Sequence, residues 1–215
     1  MKLWTAFLNA LFPKGVACSA CNRETVPDEY GLCPRCSEKI RRYLPMRDFC
    51  PEELTGYTAG IMYDGVVPKA VQRFKYNGAT HMAGFFAQYM PLPPDWEIDA
   101  LVPVPLHKRR LKLRGYNQSL LLAEALSERT RVPVRPELLT RTRNTKKQAK
   151  LNHEKRVQNV KGAFSAQMDC TGLKLAIVDD VCTTGNTLNE CAQALKAAGA
   201  AQVYGITACR ASGAD

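Results

Sequence analysis

Ile177-Val178-Asp179-Asp180-Val181-Cys182-Thr183-Thr184-Gly185-Asn186-Thr187 is the stretch on which the reading of this chain turns. The run from Lys174 to Val178 has the Leu, Ala, Ile and Val content of a short buried strand, and it delivers two carboxylates at its carboxyl end. A loop of small hydroxyl residues and one glycine follows, and Thr187 to Ala198 reads as a helix ended by Gly199. Strand, loop and helix in that order put the loop where open α/β sheets bind ligands. Amide groups at the helix start, with the hydroxyls of Thr183, Thr184 and Thr187, are suited to cradle one phosphate, and Gly185 lets the backbone approach it closely. Asp179 and Asp180 would repel a phosphate. They can instead accept hydrogen bonds from vicinal sugar hydroxyls or lie near Mg²⁺, so a phosphorylated ribose fits the segment better than a bare phosphate. Two other readings compete: the magnesium strand of a nucleotide triphosphatase, and a phosphoacceptor pocket. The chain has no G-x-x-x-x-G-K-[ST] loop, which counts against the first, and the second wants an acidic pocket with a downstream lysine in a longer alternating fold.

Outward from this turn the alternation continues and argues α/β. Gly60 to Tyr63 reads as a strand, Pro68 to Tyr76 and His81 to Tyr89 as helices, Ala100 to Val104 as a buried strand, Gln118 to Arg129 as an amphipathic helix and Gln202 to Ala208 as a final strand. The pattern divides the chain near residue 50, into a cysteine-rich module over 1–50 and an α/β domain over 51–215. With 215 residues, 46% of them hydrophobic, there is room for one ordinary domain and a small module, which excludes a disordered tail protein. No apolar run approaches the roughly 20 residues of a membrane span. Met1 to Phe12 resembles a short signal sequence, but Asn9 interrupts it and Pro13 and Lys14 close it, so an amphipathic helix and a cytoplasmic protein are expected. Gly15 to Cys18 resembles a lipoprotein box, whose processing would destroy the cysteine motif that Cys18 opens.

Nine cysteines is an odd number, and the first four form two C-x-x-C pairs, Cys18 with Cys21 and Cys33 with Cys36. Two residues between thiolates let both sulfurs reach one ion at about 2.3 Å, and a second such knuckle completes a tetrahedral site. Structural Zn²⁺ is the reading, against a redox dithiol or unpaired structural cysteines. Four cysteines leave no open position for water, so the metal would hold structure and do no chemistry.

The formal net charge of +10 is concentrated. Lys108, Arg109, Arg110, Lys112 and Arg114 supply five positive charges within seven residues, and Arg141 to Lys161 holds eight Lys or Arg against Glu154 alone. Such clusters imply a polyanionic partner, either a pyrophosphate-bearing small molecule or a nucleic-acid backbone, beside the blander reading of a solvated surface. Val102 to Val104 ends at Pro105 and Leu106, so Arg109, Arg110 and Arg114 fall beyond a strand's carboxyl end, across from the Asp179 loop. A planar guanidinium binds phosphate oxygens in pairs, although Arg114 and Asn117 could equally brace the turn before the next helix. Neither His81, His107 nor His153 has metal-ligand spacing, and none evidently activates Cys182 as a nucleophile.

These residues carry a resemblance. The quoted stretch resembles the motif with which type I phosphoribosyltransferases bind 5-phosphoribosyl 1-pyrophosphate (PRPP): four hydrophobics, two acids, then a Thr-Thr-Gly-x-Thr loop. Val102-Pro103-Val104-Pro105-Leu106 with Arg110, Arg114, Gly115, Tyr116, Asn117 and Gln118 is similar to a P-V-P…R…R-G-[FY]-N-Q signature of the ComF family of competence-associated phosphoribosyltransferase-like proteins. Arg141, Thr145, Gln148, Leu151, Arg156, Asn159, Val160, Gly162, Ala163 and Phe164 resemble a second signature of that family, Phe74-Lys75-Tyr76 with Gly78 a weaker one, and the paired cysteines occur there too. The resemblance covers nearly the full chain. It implies a parallel sheet flanked by helices and preceded by a zinc ribbon. It also implies ribose contacts from Asp179 and Asp180, and a 5-phosphate loop of Val181, Cys182, Thr183, Thr184, Gly185, Asn186 and Thr187. Arg110 and Arg114 would meet the pyrophosphate, and Gln148 and Arg156 would sit in a mobile hood over PRPP and its Mg²⁺. Where many relatives carry a further C-x-x-C, this chain has Cys50 followed by Pro51, Glu52 and Glu53, which puts a second zinc site in doubt. Three functions follow: transfer of phosphoribose to an unspecified acceptor, PRPP binding without turnover, and a part in DNA uptake in which single-stranded DNA passes to recombination proteins.

Overall fold

The computed structural model describes residues 17–18, 20–29, 31–44, 49–143 and 160–211. Its centre is a four-stranded parallel sheet in the order β1 (Gly56–Met62), β6 (Gln202–Arg210), β5 (Lys174–Cys182), β2 (Ala100–Pro103). Register pairs Asp179 with Thr207 and Pro103 with Val178. Along β5 the side chains alternate between two cores. Ala176 and Val178 face the first, Leu175 and Ile177 the second, as a strand covered on both faces requires.

On the first face pack α2 (Val67–Tyr76), α3 (Met82–Tyr89) and α5 (Gln118–Thr130), through Phe74, Phe85, Phe86, Leu122 and Leu126. Cys18, Leu32, Cys33 and Cys36 belong to the same core, so the cysteine module, with its one-turn helix α1 (Pro34–Ser37), is packed onto the α/β body. On the second face lie α6 (Asn186–Ala197) and a two-stranded antiparallel ribbon, β3 (Leu139–Arg141) with β4 (Phe164–Ala166). Neither edge of the sheet is left bare. The segment around Arg42 runs antiparallel to β1, with Tyr43 N donating to Gly60 O at 3.0 Å, and Val134 bridges to Leu101 beyond β2.

Several elements differ in extent from the sequence reading. β1 begins at Gly56 rather than Gly60, and β5 and β6 run past Val178 and Ala208 to Cys182 and Arg210. The acids interrupt the apolar run, not the ladder, since Val181 pairs with Cys209 and Cys182 with Arg210. The ribbon β3–β4 had no signal, because three-residue strands carry no period to read. The basic residues beyond β2 form α4 (Lys108–Arg114), which buries no side chain. It is held at its ends, by His107 Nδ1 accepting from Arg109 N at 3.3 Å and by Gly115 in the left-handed conformation. Among the described residues no helix is long and apolar enough to cross a membrane.

Candidate functional site

Asp179 and Asp180 stand at the carboxyl end of β5, 9% and 5% exposed. Asp179 Oδ1 accepts from Ser119 Oγ at 2.8 Å and from Asp180 N at 2.9 Å. Ser119 is in the first turn of α5, where Asn117 caps the helix by accepting from Ser119 N at 3.1 Å and donates to Val104 O at 3.1 Å, tying that helix start to the end of β2. Burial, with the neighbouring Asp180 charge, pushes the Asp179 carboxyl up to about 7. Asp180 Oδ1 accepts from Val181 N at 2.9 Å, and its Oδ2 lies 2.7 Å from Lys75 Nζ. Burial opposes a charge on Lys75, but the Asp180 and Asp179 carboxylates outweigh it and hold the ammonium above its usual range. Apart from this ion pair the buried Asp180 Oδ2 has no hydrogen-bond partner, so the oxygen retains an unfilled acceptor direction.

The Phe-Lys-Tyr stretch, which gave sequence reasoning no role for its lysine, thus supplies the site with a cation. Phe74 anchors the end of α2 in the core, Tyr116 donates from its hydroxyl to Phe74 O, and Tyr76 lies under Arg114, whose guanidinium carbon is 5.0 Å from the ring centre. Only the alternation of a buried aromatic, a lysine and a second aromatic at a helix end hinted at this.

The loop after the acids turns on Gly185, with φ +83°, directly before α6. A Cβ there would stand 2.7 Å from Pro51 Cγ, so the buried Pro51 lies against the loop. Phe49 continues this cover, its ring centre 3.5 Å from the Arg210 guanidinium carbon and 5.2 Å from the Tyr57 ring. Arg210, at the end of β6, donates from Nη1 to Cys182 O at 3.4 Å and to Thr183 O and Ala211 O, fastening the loop's first residues from beneath. Arg210 carries no signal in the sequence, where the apolar run of β6 stops before it. Cys182 is buried, and burial pushes its thiol up to about 11, in keeping with a filler rather than a nucleophile. Thr183 is exposed while Thr184, Asn186 and Thr187 are half-buried, and the buried Asn186 Nδ2 has no hydrogen-bond partner.

Of the two pyrophosphate candidates, Arg114 donates to Gln118 Oε1 besides stacking on Tyr76, an arrangement that braces the turn. Arg110 is half-buried and near Arg141 of β3. Burial, then the Arg110 charge, weakens Arg141's hold on its proton, while Asp179 acts the other way. Gln148 and Arg156 lie outside the described residues, as do Thr145 and Leu151.

The four module cysteines bring their sulfurs within 4.8 Å of one another, and Cys21 Sγ to Cys33 Sγ is 3.8 Å. Tetrahedral bonds of about 2.3 Å separate two sulfurs by about 3.8 Å, so the donor set fits zinc. Burial opposes ionisation of Cys18, but the amides of Cys21, Cys33 and Ala20 outweigh it and draw the thiol down to about 7, favouring the ligating thiolate. Cys50 is elsewhere, its Sγ 3.8 Å from Leu54 O. The acid pair is a different case. Among the described residues the cysteines are the cluster of three or more such groups within reach of one ion, whereas the acids' oxygens are largely engaged by Ser119, main-chain amides and Lys75.

A parallel sheet carrying an acid pair and a glycine loop at one strand's carboxyl end defines a phosphoribosyltransferase-type domain, and residues 117–214 match the phosphoribosyl transferase domain family. The chain is 32% identical over 208 residues to DNA utilization protein YhgH of Escherichia coli (strain K12), covering 90% of this chain and 89% of that protein. It is 28% identical over 219 residues to competence protein F of Haemophilus influenzae, covering 92% and 93%, and 28% identical over 222 residues to competence protein ComFC of Bacillus subtilis, covering 96% and 89%. The chain belongs to this family of DNA utilization and competence proteins, the ComF family its motifs resemble.

Proposed function

We propose that this chain binds PRPP, brought in with Mg²⁺, at the end of β5 and serves in DNA uptake, handling single-stranded DNA. The observation that carries the ligand is a pair of buried atoms without a hydrogen-bond partner at the two ends of the loop, Asp180 Oδ2, which has only its ion pair with Lys75, and Asn186 Nδ2. Asp180 Oδ2 can accept a ribose hydroxyl, and Asn186 Nδ2 can donate to a phosphate oxygen. Around them the loop amides and threonine hydroxyls suit the 5-phosphate, and Arg110 with Arg141 supplies positive charge on the Asp179 side, where a pyrophosphate would lie. Mg²⁺ travelling with PRPP would screen the pyrophosphate oxygens. The names of the relatives support the DNA-uptake part, and the exposed cations of α4 give it an electrostatic basis.

Calorimetric titration of PRPP in the presence of Mg²⁺ tests the ligand. Wild type should bind, and Asp179→Asn with Asp180→Asn should abolish binding while far-ultraviolet circular dichroism stays unchanged. Equal affinity in the folded double variant would refute the ribose assignment.

A further inference from the structure

The acid pair is not empty of cations: Lys75 Nζ is 2.7 Å from Asp180 Oδ2, with 24% of the lysine side chain and 6% of the aspartate side chain exposed. Ion pairs this sheltered contribute little to stability on balance, because desolvation cancels most of the attraction, so stability gives weak grounds for one at a ligand edge. The lysine is nevertheless firmly delivered. It sits in the last turn of α2, whose end is fixed by buried Phe74 and by the Tyr116 hydroxyl on the Phe74 carbonyl. Asp180 is held from its other side by Val181 N on Oδ1, so the carboxylate has one orientation, with Oδ2 toward the ammonium. A free divalent ion approaching Asp180 Oδ2 would meet a unit positive charge already at contact distance. A ligand carrying hydroxyls would not, since the oxygen keeps an unfilled acceptor direction.

We propose that Lys75 is a positioning residue that acts as the resident cation of the Asp179–Asp180 pair. It orients Asp180 for a hydroxyl donor and denies the pair to a free divalent metal ion, so that metal is admitted only on a ligand bringing its own oxygens. This deepens the PRPP reading of the same site, on which its last clause alone rests.

The test uses Mn²⁺ as the metal and zinc-loaded full-length protein, with free Mn²⁺ followed by electron paramagnetic resonance. Removing a contact charge should matter by more than a factor of ten, so Lys75→Met is expected to bind Mn²⁺ at least about tenfold more tightly than wild type. Lys75→Arg should behave as wild type, and adding Asp180→Asn to Lys75→Met should abolish the gain, which a merely structural lysine would not produce. Equal Mn²⁺ affinity in wild type and Lys75→Met, or a gain that survives Asp180→Asn, would overturn the proposal. Wild type alone gives a reading that needs no folded variant: Mn²⁺ without ligand should leave the amide resonances of 179–187 unbroadened, and broadening there would also overturn it. Addition of PRPP to the same wild-type sample should bring the broadening on. If PRPP does not bind, the ligand assignment fails while the Mn²⁺ comparison still decides the role of Lys75.

Discussion

Gly185→Ala is the substitution that asks most of the loop geometry. Two penalties act at this one position. Alanine at φ +83° adopts a left-handed conformation that costs a non-glycine residue about 1–2 kcal/mol. Its methyl group would also stand 2.7 Å from Pro51 Cγ and 3.0 Å from Pro51 Cβ, on a buried ring with no flexible end to swing away, an overlap of the kind that costs about 1–3 kcal/mol. Together these come to roughly 2–5 kcal/mol, a large share of the 5–15 kcal/mol that holds a typical domain. At about 2–4 °C per kcal/mol for a chain of this size, Tm should fall by roughly 4–20 °C. Urea unfolding of Gly185→Ala, Pro51→Ala and the double variant separates the two penalties. The double variant should recover the Pro51 Cγ part of the overlap, but neither the Cβ contact nor the backbone cost, giving a coupling of about 1–2 kcal/mol between the sites. If Gly185→Ala stays within about 0.5 kcal/mol of wild type, neither penalty acts and the loop reading fails; if the two substitutions add, Pro51 does not rest on the loop.

Apo stability should fall as pH rises from about 4 to about 7: the folded-state pKa of Asp179 lies near 7 against the ordinary 3.8, so in that window the folded chain holds a proton the unfolded chain has released. Urea midpoints across this range should lose that slope in Asp179→Asn, and an unchanged slope would assign it to other groups. Metal analysis of reduced protein should give about one zinc per chain; Cys36→Ser should lower that content and Tm, and weaken PRPP binding too, because Cys36 shares a core with α2, which delivers Lys75. Replacing Lys146, Lys147 and Lys150 by Ala should flatten the salt dependence of single-stranded DNA binding by about two units, at about 0.7 per phosphate contact, and leave PRPP affinity unchanged. A wild-type salt slope in that triple variant would move the DNA surface elsewhere.

Much of the fold was legible because its signals are local. The β5–loop–α6 turn is written in consecutive residues, and the two C-x-x-C pairs bring their own spacing. What escaped the sequence was what the sheet assembles from a distance. Lys75, Ser119 and Arg210 come from three separate elements, and each does its work through one or two contacts to the end of β5 or the loop. No periodicity announces such residues, since the lysine ends an ordinary amphipathic helix and the arginine follows an apolar strand. The segment from Phe49 to Leu54 escaped for a related reason. It straddles the division near residue 50 and carries no period, yet it packs on Gly185 and reaches α6, where Glu53 pairs with Lys196 at 3.3 Å and accepts from Gln193 at 3.1 Å.

The positive charge of the chain therefore divides by direction as well as by sequence. Lys75 is committed to Asp180 inside the sheet's edge, and Arg210 spends Nη1 on main-chain carbonyls beneath the loop, so neither can follow the backbone of a polymer. Lys108, Arg109 and Lys112 are exposed on a helix that buries no side chain, so their charge faces outward. Arg110, on the same helix, is half-buried and close enough for its charge to act on Arg141, which also feels Asp179. A small anion seated at the loop would draw on the inward set, which is fixed in place and sheltered from salt. A nucleic-acid strand would draw on the outward set, which is screened over about 8–10 Å at ordinary ionic strength. On the proposed function, raising salt should then weaken the polymer far more steeply than PRPP.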